Sequence, residues 1–136
     1  EGTQPLRIVV DLGLRFALYN NGPGKLLLAH LSDEQRDQAL SQTKLTANTP
    51  RTITSKAELR KECARIVSQG YSTDHAEANE GIHCIAAPVV DEFDGVVGAL
   101  WITGPAKRLP KSRFSELGTQ VRTAAAQASR RIQELS

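Results

Sequence analysis

The sequence has few cysteines, no long apolar run and almost no excess of charge, and each shortage excludes a class of protein. Its 136 residues include only two cysteines, Cys63 and Cys84, which is too few for a disulfide framework in a chain of this length. We therefore expect the reducing cytoplasm as its compartment. The longest apolar stretch, at 25–29, is far shorter than the roughly 20 residues of a membrane helix, so we expect no membrane partner.

The charge of the chain does not favour binding to nucleic acid. Seventeen basic residues stand against 15 acidic ones, which gives a formal net charge of +2. The two signs alternate along the predicted helices, as in the run Arg60-Lys61-Glu62. A domain that reads DNA usually concentrates its positive charge on one face, whereas alternation is typical of a solvated surface. We expect the chain itself to bind DNA poorly.

The first half of the chain shows strand patterns followed by helix patterns. The predicted strands are 6–10 and 15–19, and a turn at 11–13 joins them. Three helices are predicted to follow: one at 25–31, one that begins after Ser32 and one that spans 56–69. Ser32 and Ser55 each open a capping box, because a Glu or Gln stands three residues later. Gly70 stops the last of these helices. The polar segment 43–54 predicts an exposed loop, and Cys63 lies on the apolar stripe of its helix.

The second half returns to strands and closes on a long helix. The predicted strands are 71–74, 82–90 and 96–103, and the predicted helix runs from about Ser112 to Leu135. Asp94-Gly95 is a strong turn signal between the last two strands, and 104–110 predicts another loop. The length fits one domain with its own core. This order predicts an α+β domain with an antiparallel sheet and helices at its faces and ends.

The glycine loop 22–24, which leads into a helix, is the first candidate for chemistry. The start of a helix exposes unpaired N–H groups and attracts anions, and Lys25 would add a full positive charge. The loop lacks the spacing of a nucleotide-binding P-loop. Taken alone, such a loop is more often a turn than a ligand site.

The second candidate is the hairpin formed by the last two strands. Cys84 lies on one face of its strand, and Trp101 and Thr103 share one face of the returning strand. If the turn closes an even-numbered loop, or a bulge corrects an odd one, the two faces coincide. Cys84 then lies across from, or diagonal to, Thr103 and Trp101. An isolated strand cysteine is most often a core residue, and His83 points to the wrong face to activate it.

The third candidate is the acidic segment 74–80. Acids at the end of a strand can orient hydroxyls or bind metal, and His75 lies between Asp74 and Glu77. The spacing matches no established metal motif, and a solvated loop is the simpler interpretation. The sequence shows no Ser-His-Asp set, no paired carboxylates and no nucleotide motif. The residues alone predict a small polar pocket without metal or cofactor.

Three segments combine into a more specific pattern. They are 13–29, with Gly-Pro-Gly-Lys; 70–89, with Gly-Tyr-Ser-Thr-Asp and Cys-Ile-Ala-Ala-Pro; and 95–105, with Ile-Thr-Gly-Pro. Together they resemble the effector-binding domain of the IclR family of bacterial transcription regulators, in order and spacing over almost the whole chain. The resemblance implies a GAF-like fold with a curved antiparallel sheet and a pocket for a small, often carboxylate-bearing metabolite.

The resemblance also implies the domain organisation and the partners. Residues 1–136 would form a single effector-binding domain that assembles into a homodimer or tetramer. A winged helix-turn-helix domain would precede it in the whole protein, and DNA would be bound only through that absent domain.

The effector contacts that the resemblance implies come from four places. The corresponding residues are Gly22, Pro23, Gly24, Asp74, Cys84, Trp101 and Thr103. Two depart from the family pattern, because Pro23 has no N–H to offer and Trp101 replaces a frequent Ser with a large ring. We therefore expect a ligand with an apolar or aromatic face against Trp101 and a carboxylate toward the helix that begins near Gly24, unless Trp101 fills the pocket.

These features predict a sensor and not an enzyme. The effector would favour one arrangement of the assembly and so change DNA binding by the absent domain. Two alternatives stay open at this point. A small GAF-like thiol enzyme that uses Cys84 requires a second cysteine or a base within reach, and a ligand-free oligomerisation module predicts that no metabolite stabilises the domain.

Overall fold

The fold is an α+β arrangement, seen in a computed structural model that describes residues 17–135. Its elements are α1 (Gly22–Ala29), α2 (Asp33–Gln42), α3 (Lys56–Gln69), β1 (Ser72–His75), β2 (Ile82–Val90), β3 (Val96–Pro105), a 3-10 turn (Lys111–Arg113) and α4 (Phe114–Glu134). The three strands form one antiparallel sheet in the order β1-β2-β3. The predicted fold class is therefore confirmed. Every helix in the described part of the chain is too short or too polar to cross a membrane.

The start of the chain differs from the prediction where it is described. The predicted strand 6–10, the turn 11–13 and residues 15–16 of the second strand lie outside the described residues. Residues 17–19, predicted as the end of that strand, instead lead through bends into α1. The helix begins at Gly22 because Asn21 Oδ1 accepts the N–H of Gly24 at 2.7 Å and because proline suits the first helical turn. The predicted glycine loop is thus the first turn of α1.

The structure confirms the predicted capping box at Ser32 and the stop at Gly70, and it shows one half of the predicted box at Ser55. Ser32 and Gln35 form a reciprocal capping box at the start of α2, and the Ser55 hydroxyl accepts the N–H of Glu58 at the start of α3. Gly70 ends α3 in the left-handed conformation, with φ of 87°.

The loop between α2 and α3 is not fully exposed, contrary to the prediction. Thr49 and Thr52 are buried. Their hydroxyls donate to the carbonyl oxygens of Ala76 and Glu77. The loop therefore fixes the segment that follows β1, a long-range contact that local polarity does not reveal.

Different helices cover the two faces of the sheet. On one face, α1 and α3 form a core with Ala86 of β2; its buried side chains include Leu26, Leu28, Leu59, Cys63 and Ile66. On the other face, α4 packs through Phe114, Leu117, Val121 and Ala125 onto Ile85, Ala87 and Val89. The strand β2 alternates between the two cores, and Cys63 is a core residue as predicted.

The register of the β2–β3 hairpin depends on a bulge. The loop from Val90 to Val96 holds five residues, an odd number, but the pairing shifts by one residue between Val89 and Val90. The shift restores the predicted face, so that Cys84 pairs with Thr103. The strand β3 also runs two residues beyond the prediction, because residues 104–105 still pair with β2; the predicted loop 104–110 is shorter.

Close packing of α4 against the chain before β1 requires a glycine. A Cβ added at Gly118 would overlap the ring of Tyr71. Tyr71 is partly buried beside the α4 core, so the helix lies at its present distance only because position 118 has no side chain.

We predict that Gly118→Ala destabilises the domain. The overlap with Tyr71 outweighs the gain in helix propensity of about 1 kcal/mol, because overpacking typically costs about 1–3 kcal/mol. Urea unfolding followed by circular dichroism measures the change in the free energy of unfolding. Gln120→Ala, at an exposed position of the same helix, is the control and should be neutral or slightly stabilising. Equal stability of both variants would contradict the packing argument.

Candidate functional site

Asp74, Cys84 and Thr103 form a row across the three strands. Asp74 pairs with Cys84, and Cys84 pairs with Thr103, so the three side chains lie on the same face of the sheet. Asp74 and Cys84 are 4% and 5% exposed, whereas Thr103 is exposed and donates its hydroxyl to the carbonyl of His83. We call these three residues the polar row.

Trp101 lies in the next row, beside Ser72 and Ala86. Ser72 pairs with Ala86, and Ala86 pairs with Trp101. Trp101 is on the same strand face as Thr103, two residues away, and it is 39% exposed. The structure therefore places Trp101 next to the polar row, on β3.

The start of α1 lies directly against the polar row. A Cβ at Gly22 would lie 2.9 Å from Cys84 Sγ, so only glycine permits this approach. The Ser72 hydroxyl donates to the Gly22 carbonyl at 2.6 Å, which fixes the helix to β1. Gly22 is therefore the residue of the predicted glycine loop that these contacts place beside the polar row.

Gly24 and Pro23 contribute less to an anion site than the sequence implied. The N–H of Gly24 is already used by the Asn21 side chain, and Pro23 has none. A Cβ at Gly24 would overlap the carbonyl oxygen of Ala17. The glycine here thus permits the helix cap.

The predicted role of Lys25 beside an anion is wrong. Lys25 is fully buried, and its ammonium donates to Glu62 Oε2 at 2.6 Å, to the Thr73 carbonyl at 2.6 Å and to Glu77 Oε2 at 3.1 Å. A buried ammonium requires such acceptors because it has lost its hydration. Its charge is used to join α1, α3 and β1.

Glu77 links the Lys25 ammonium to the polar row. Its N–H donates to Asp74 Oδ1 at 2.7 Å, and its Oε2 also accepts the N–H of His75 at 3.0 Å. Its Oε1 lies 2.8 Å from Lys25 Nζ, an ion-pair distance, but has no hydrogen bond within residues 17–135.

Sequence reasoning placed Glu77 in the acidic segment and missed Glu62. A lone lysine within an apolar run was the available signal for a buried ion pair.

Burial raises the pKa of Asp74 to about 6, from an ordinary value of 3.8. The N–H of Glu77 lowers the pKa of Asp74 and the Glu77 charge raises it, but both effects are smaller than that of burial. At pH 7.5 the carboxyl is mostly ionised, so it accepts hydrogen bonds. It becomes a donor only in mildly acidic solution.

Burial also raises the pKa of Cys84, to about 12, and the neighbouring Asp74 charge raises it further against the opposing effect of the Gly22 N–H. The thiol is therefore protonated at neutral pH and is a poor nucleophile. Cys63 is buried in the core, and burial raises its pKa as well. Neither cysteine has the environment of a reactive thiol.

Two clefts lie elsewhere on the domain, and neither is lined by the polar row. One, of about 480 Å³, is formed by the loop after α2 and the segment after β1. The other, of about 390 Å³, lies beside β1 between α3 and the start of α4. Between residues 17 and 135 no group of three potential metal ligands comes together.

Comparison with known proteins gives a consistent result. A family profile described as "Bacterial transcriptional regulator IclR C-terminal" matches residues 1–130. The HTH-type transcriptional repressor AllR of Salmonella typhi is 38% identical over 120 residues, covering 88% of this chain and 44% of the repressor. The chain thus spans less than half the length of this relative.

Solved structures show the same similarity. The C-terminal domain of the transcriptional regulator KdgR of Escherichia coli is 36% identical, with a TM-score of 0.79 over 88% of this chain and 73% of that one. The Thermotoga maritima IclR is 30% identical, with a TM-score of 0.82 over 97% of this chain and 53% of that one.

We predict that Lys25→Met destabilises the domain strongly. Removal of the ammonium leaves the buried Glu77 carboxylate without a cation and leaves Glu62 with Arg65 as its remaining partner, and breaking a buried pair typically costs about 3–5 kcal/mol. Adding Glu77→Gln should recover part of this loss, because one of the two carboxylates is then neutral. Chemical denaturation measures the free energy of unfolding of the unsubstituted domain, of Lys25→Met and of the double variant.

Arg60→Met is the control for the loss of an ion pair at the surface. It breaks the exposed pair with Asp37 and should cost less than about 1 kcal/mol. A Lys25→Met variant as stable as the Arg60→Met variant would contradict the role of the buried network.

We predict that Asp74→Asn changes how stability depends on pH. Because the folded-state pKa of Asp74 is raised, its contribution to stability is present at low pH and is lost as the pH rises from about 4 to 6. Asn keeps the acceptor for the Glu77 N–H but never ionises. As the pH rises from 4 to 7, the free energy of unfolding of the variant should therefore increase by up to about 3 kcal/mol relative to that of the unsubstituted domain.

Thermal and urea unfolding at a series of pH values test this prediction. Asp37→Asn, at an exposed carboxylate, is the control and should show no comparable gain. A constant difference between the Asp74→Asn variant and the unsubstituted domain would show that Asp74 ionises normally.

Proposed function

The chain belongs to the IclR family of bacterial transcriptional regulators, as their C-terminal ligand-binding domain, and from this we propose that it senses a small carboxylate or aromatic metabolite. The effector would change DNA binding by an N-terminal helix-turn-helix domain of the whole protein. The observation that carries this proposal is the polar row at the start of α1. There a buried carboxylate, a protonated thiol and an exposed hydroxyl lie on one sheet face.

The effector contacts follow from the state of each group. Asp74, mostly ionised at pH 7.5, accepts a hydrogen bond from a ligand hydroxyl or amide. Thr103 offers an exposed hydroxyl oxygen, and Cys84 forms a weakly polar wall. Trp101 offers an apolar ring surface for stacking. A ligand with a flat apolar part and one hydrogen-bond donor fits these groups best.

A ligand carboxylate would lie toward the start of α1, where the helix dipole is positive. Gly22, Pro23 and Gly24 together offer few free N–H groups, and the Lys25 charge is already neutralised. We therefore propose that the carboxylate is held less tightly here than by a loop with free amides. Affinity then depends more on the contact with Trp101.

Coupling to DNA would act through a homodimeric or tetrameric assembly in the cytoplasm. Effector binding that favours one arrangement changes the spacing of the DNA-binding domains. A coupling free energy of about 1–3 kcal/mol would change DNA affinity about 5–150-fold. The relative AllR is named as an HTH-type repressor, which supports the proposed domain but leaves repression or activation open.

The catalytic alternative finds no support. The Cys84 thiol has a raised pKa of about 12, and Cys63 is a buried core residue of α3. The similar proteins are transcription regulators, not enzymes.

A thermal-shift screen tests the proposal. Aliphatic oxo acids, hydroxybenzoates and their neutral amides are compared on the unsubstituted domain and on Thr103→Val. A ligand whose free concentration is 100 times its dissociation constant stabilises the folded domain by about 2.7 kcal/mol. We expect at least one aromatic acid to raise the melting temperature, and Thr103→Val to reduce that shift.

Trp101→Ser shows which part of the ligand is recognised. It should shift the preference toward small aliphatic acids, because it removes the ring surface. Val67→Ser, at an exposed apolar residue of α3, is the control and should leave all shifts unchanged. If no compound stabilises any of these proteins, the sensing proposal fails and the oligomerisation module is favoured.

A further inference from the structure

A cleft beside β1 lies on the sheet face opposite the polar row. Its volume is about 390 Å³, and its lining includes Thr73 and His75 of β1, Glu77, Arg65 of α3, Lys111 of the 3-10 turn and Phe114 of α4. Side chains alternate along a strand, so Thr73 points away from the face that carries Asp74. The cleft is therefore separate from the proposed effector site.

Two polar groups that line this cleft lack hydrogen bonds, and of these the Glu77 Oε1 atom is fully buried. Thr73 is 7% exposed, and no hydrogen bond joins its hydroxyl to another residue in the described range. Glu77 is 5% exposed, and its Oε1 is buried without a hydrogen bond among the same residues. Buried polar atoms are nearly always paired with protein, water or ligand. A donor and acceptor such as a ligand hydroxyl would satisfy both groups.

The charges around the cleft determine what else the ligand carries. Lys111 is exposed at the lining and attracts an anion, whereas the exposed Arg65 beside it is already paired with Glu62 at 2.6 Å. Glu77 is already paired with Lys25 at 2.8 Å, so its carboxylate needs only a hydrogen-bond donor from the ligand and not a further positive charge. The inner end of the ligand should therefore be neutral, and its outer end negative.

We propose that this cleft is a second ligand site, which binds a small carboxylic acid that bears a hydroxyl group. The hydroxyl contacts Thr73 and Glu77, and the carboxylate lies toward Lys111. Phe114 and His75, whose rings meet edge to face at 5.9 Å, form the apolar wall between these ends.

The second site would communicate with the polar row through Glu77. The N–H of this residue holds Asp74 Oδ1, while its carboxylate lines the cleft. A ligand that fixes Glu77 would thereby also fix Asp74, and the coupling would be reciprocal. This coupling rests on the proposed function, whereas binding in the cleft does not.

Nuclear magnetic resonance titration of the 15N-labelled domain tests the binding. The probe is 3-hydroxybutyrate; butyrate lacks its hydroxyl, and 1,3-butanediol lacks its carboxylate. We expect 3-hydroxybutyrate to shift the amide signals of Thr73, His75 and Lys111, with about tenfold higher affinity than either comparison compound, as one hydrogen bond or ion pair would give.

Variants on the two sheet faces separate the two sites. Thr73→Val, which keeps the shape of the side chain, and Lys111→Gln should each weaken binding by about tenfold. Thr103→Val in the polar row should leave the affinity unchanged.

Two results would overturn the second site. One is equal binding by Thr73→Val, Lys111→Gln and the unsubstituted domain, or no shift of cleft signals. The other is a set of shifts confined to Gly22, Cys84 and Thr103 that Thr103→Val abolishes. The latter result would support the effector site on the opposite face while removing the one proposed here.

Discussion

The buried ammonium of Lys25 is the interaction on which the arrangement of the site depends. It joins three parts of the chain, because its acceptors come from α3, from the backbone of β1 and from Glu77 after β1. Burial of a charge is unfavourable unless acceptors surround it. The observed placement of α1 relative to β1 and α3 supplies all of these acceptors. The start of α1 is consequently held against the sheet at Cys84.

The sheet contributes a second constraint, which is the register of its strands. The polar row exists because Asp74, Cys84 and Thr103 are direct neighbours across three strands. The five-residue loop after β2 would by itself move β3 by one residue and turn Thr103 to the other face. The bulge at Val89 and Val90 prevents this. A single irregularity in the hairpin thus decides which side chains meet.

The electrostatic state of the row suits recognition and not catalysis. Burial opposes charge at both groups, so that Cys84 remains a thiol and Asp74 titrates at about pH 6. A nucleophile would require the opposite, a positive neighbour that stabilises the thiolate. The buried ammonium of Lys25 is instead neutralised by Glu62 and Glu77. The same buried network therefore positions the row and keeps it chemically inert.

The sequence by itself determined the local features. The caps at Ser32 and Ser55, the stop at Gly70 and the limits of β2 follow from patterns within a few residues, which obey local backbone physics. The alternation of strand side chains and the Asp94-Gly95 turn also predicted, conditionally, that Cys84 and Thr103 share a face. The family pattern identified the domain class.

Only the tertiary structure decided where distant groups meet. Lys25 stands beside a glycine turn in the sequence, yet its ammonium reaches Glu62 and Glu77, 37 and 52 residues away. The hydroxyls of Thr49 and Thr52, in a segment that appears solvated, bind the loop after β1. Burial and long-range pairing depend on how the elements pack, and no local pattern contains that information. Composition and spacing supply the groups, and packing determines their partners, their charge and their access to a ligand.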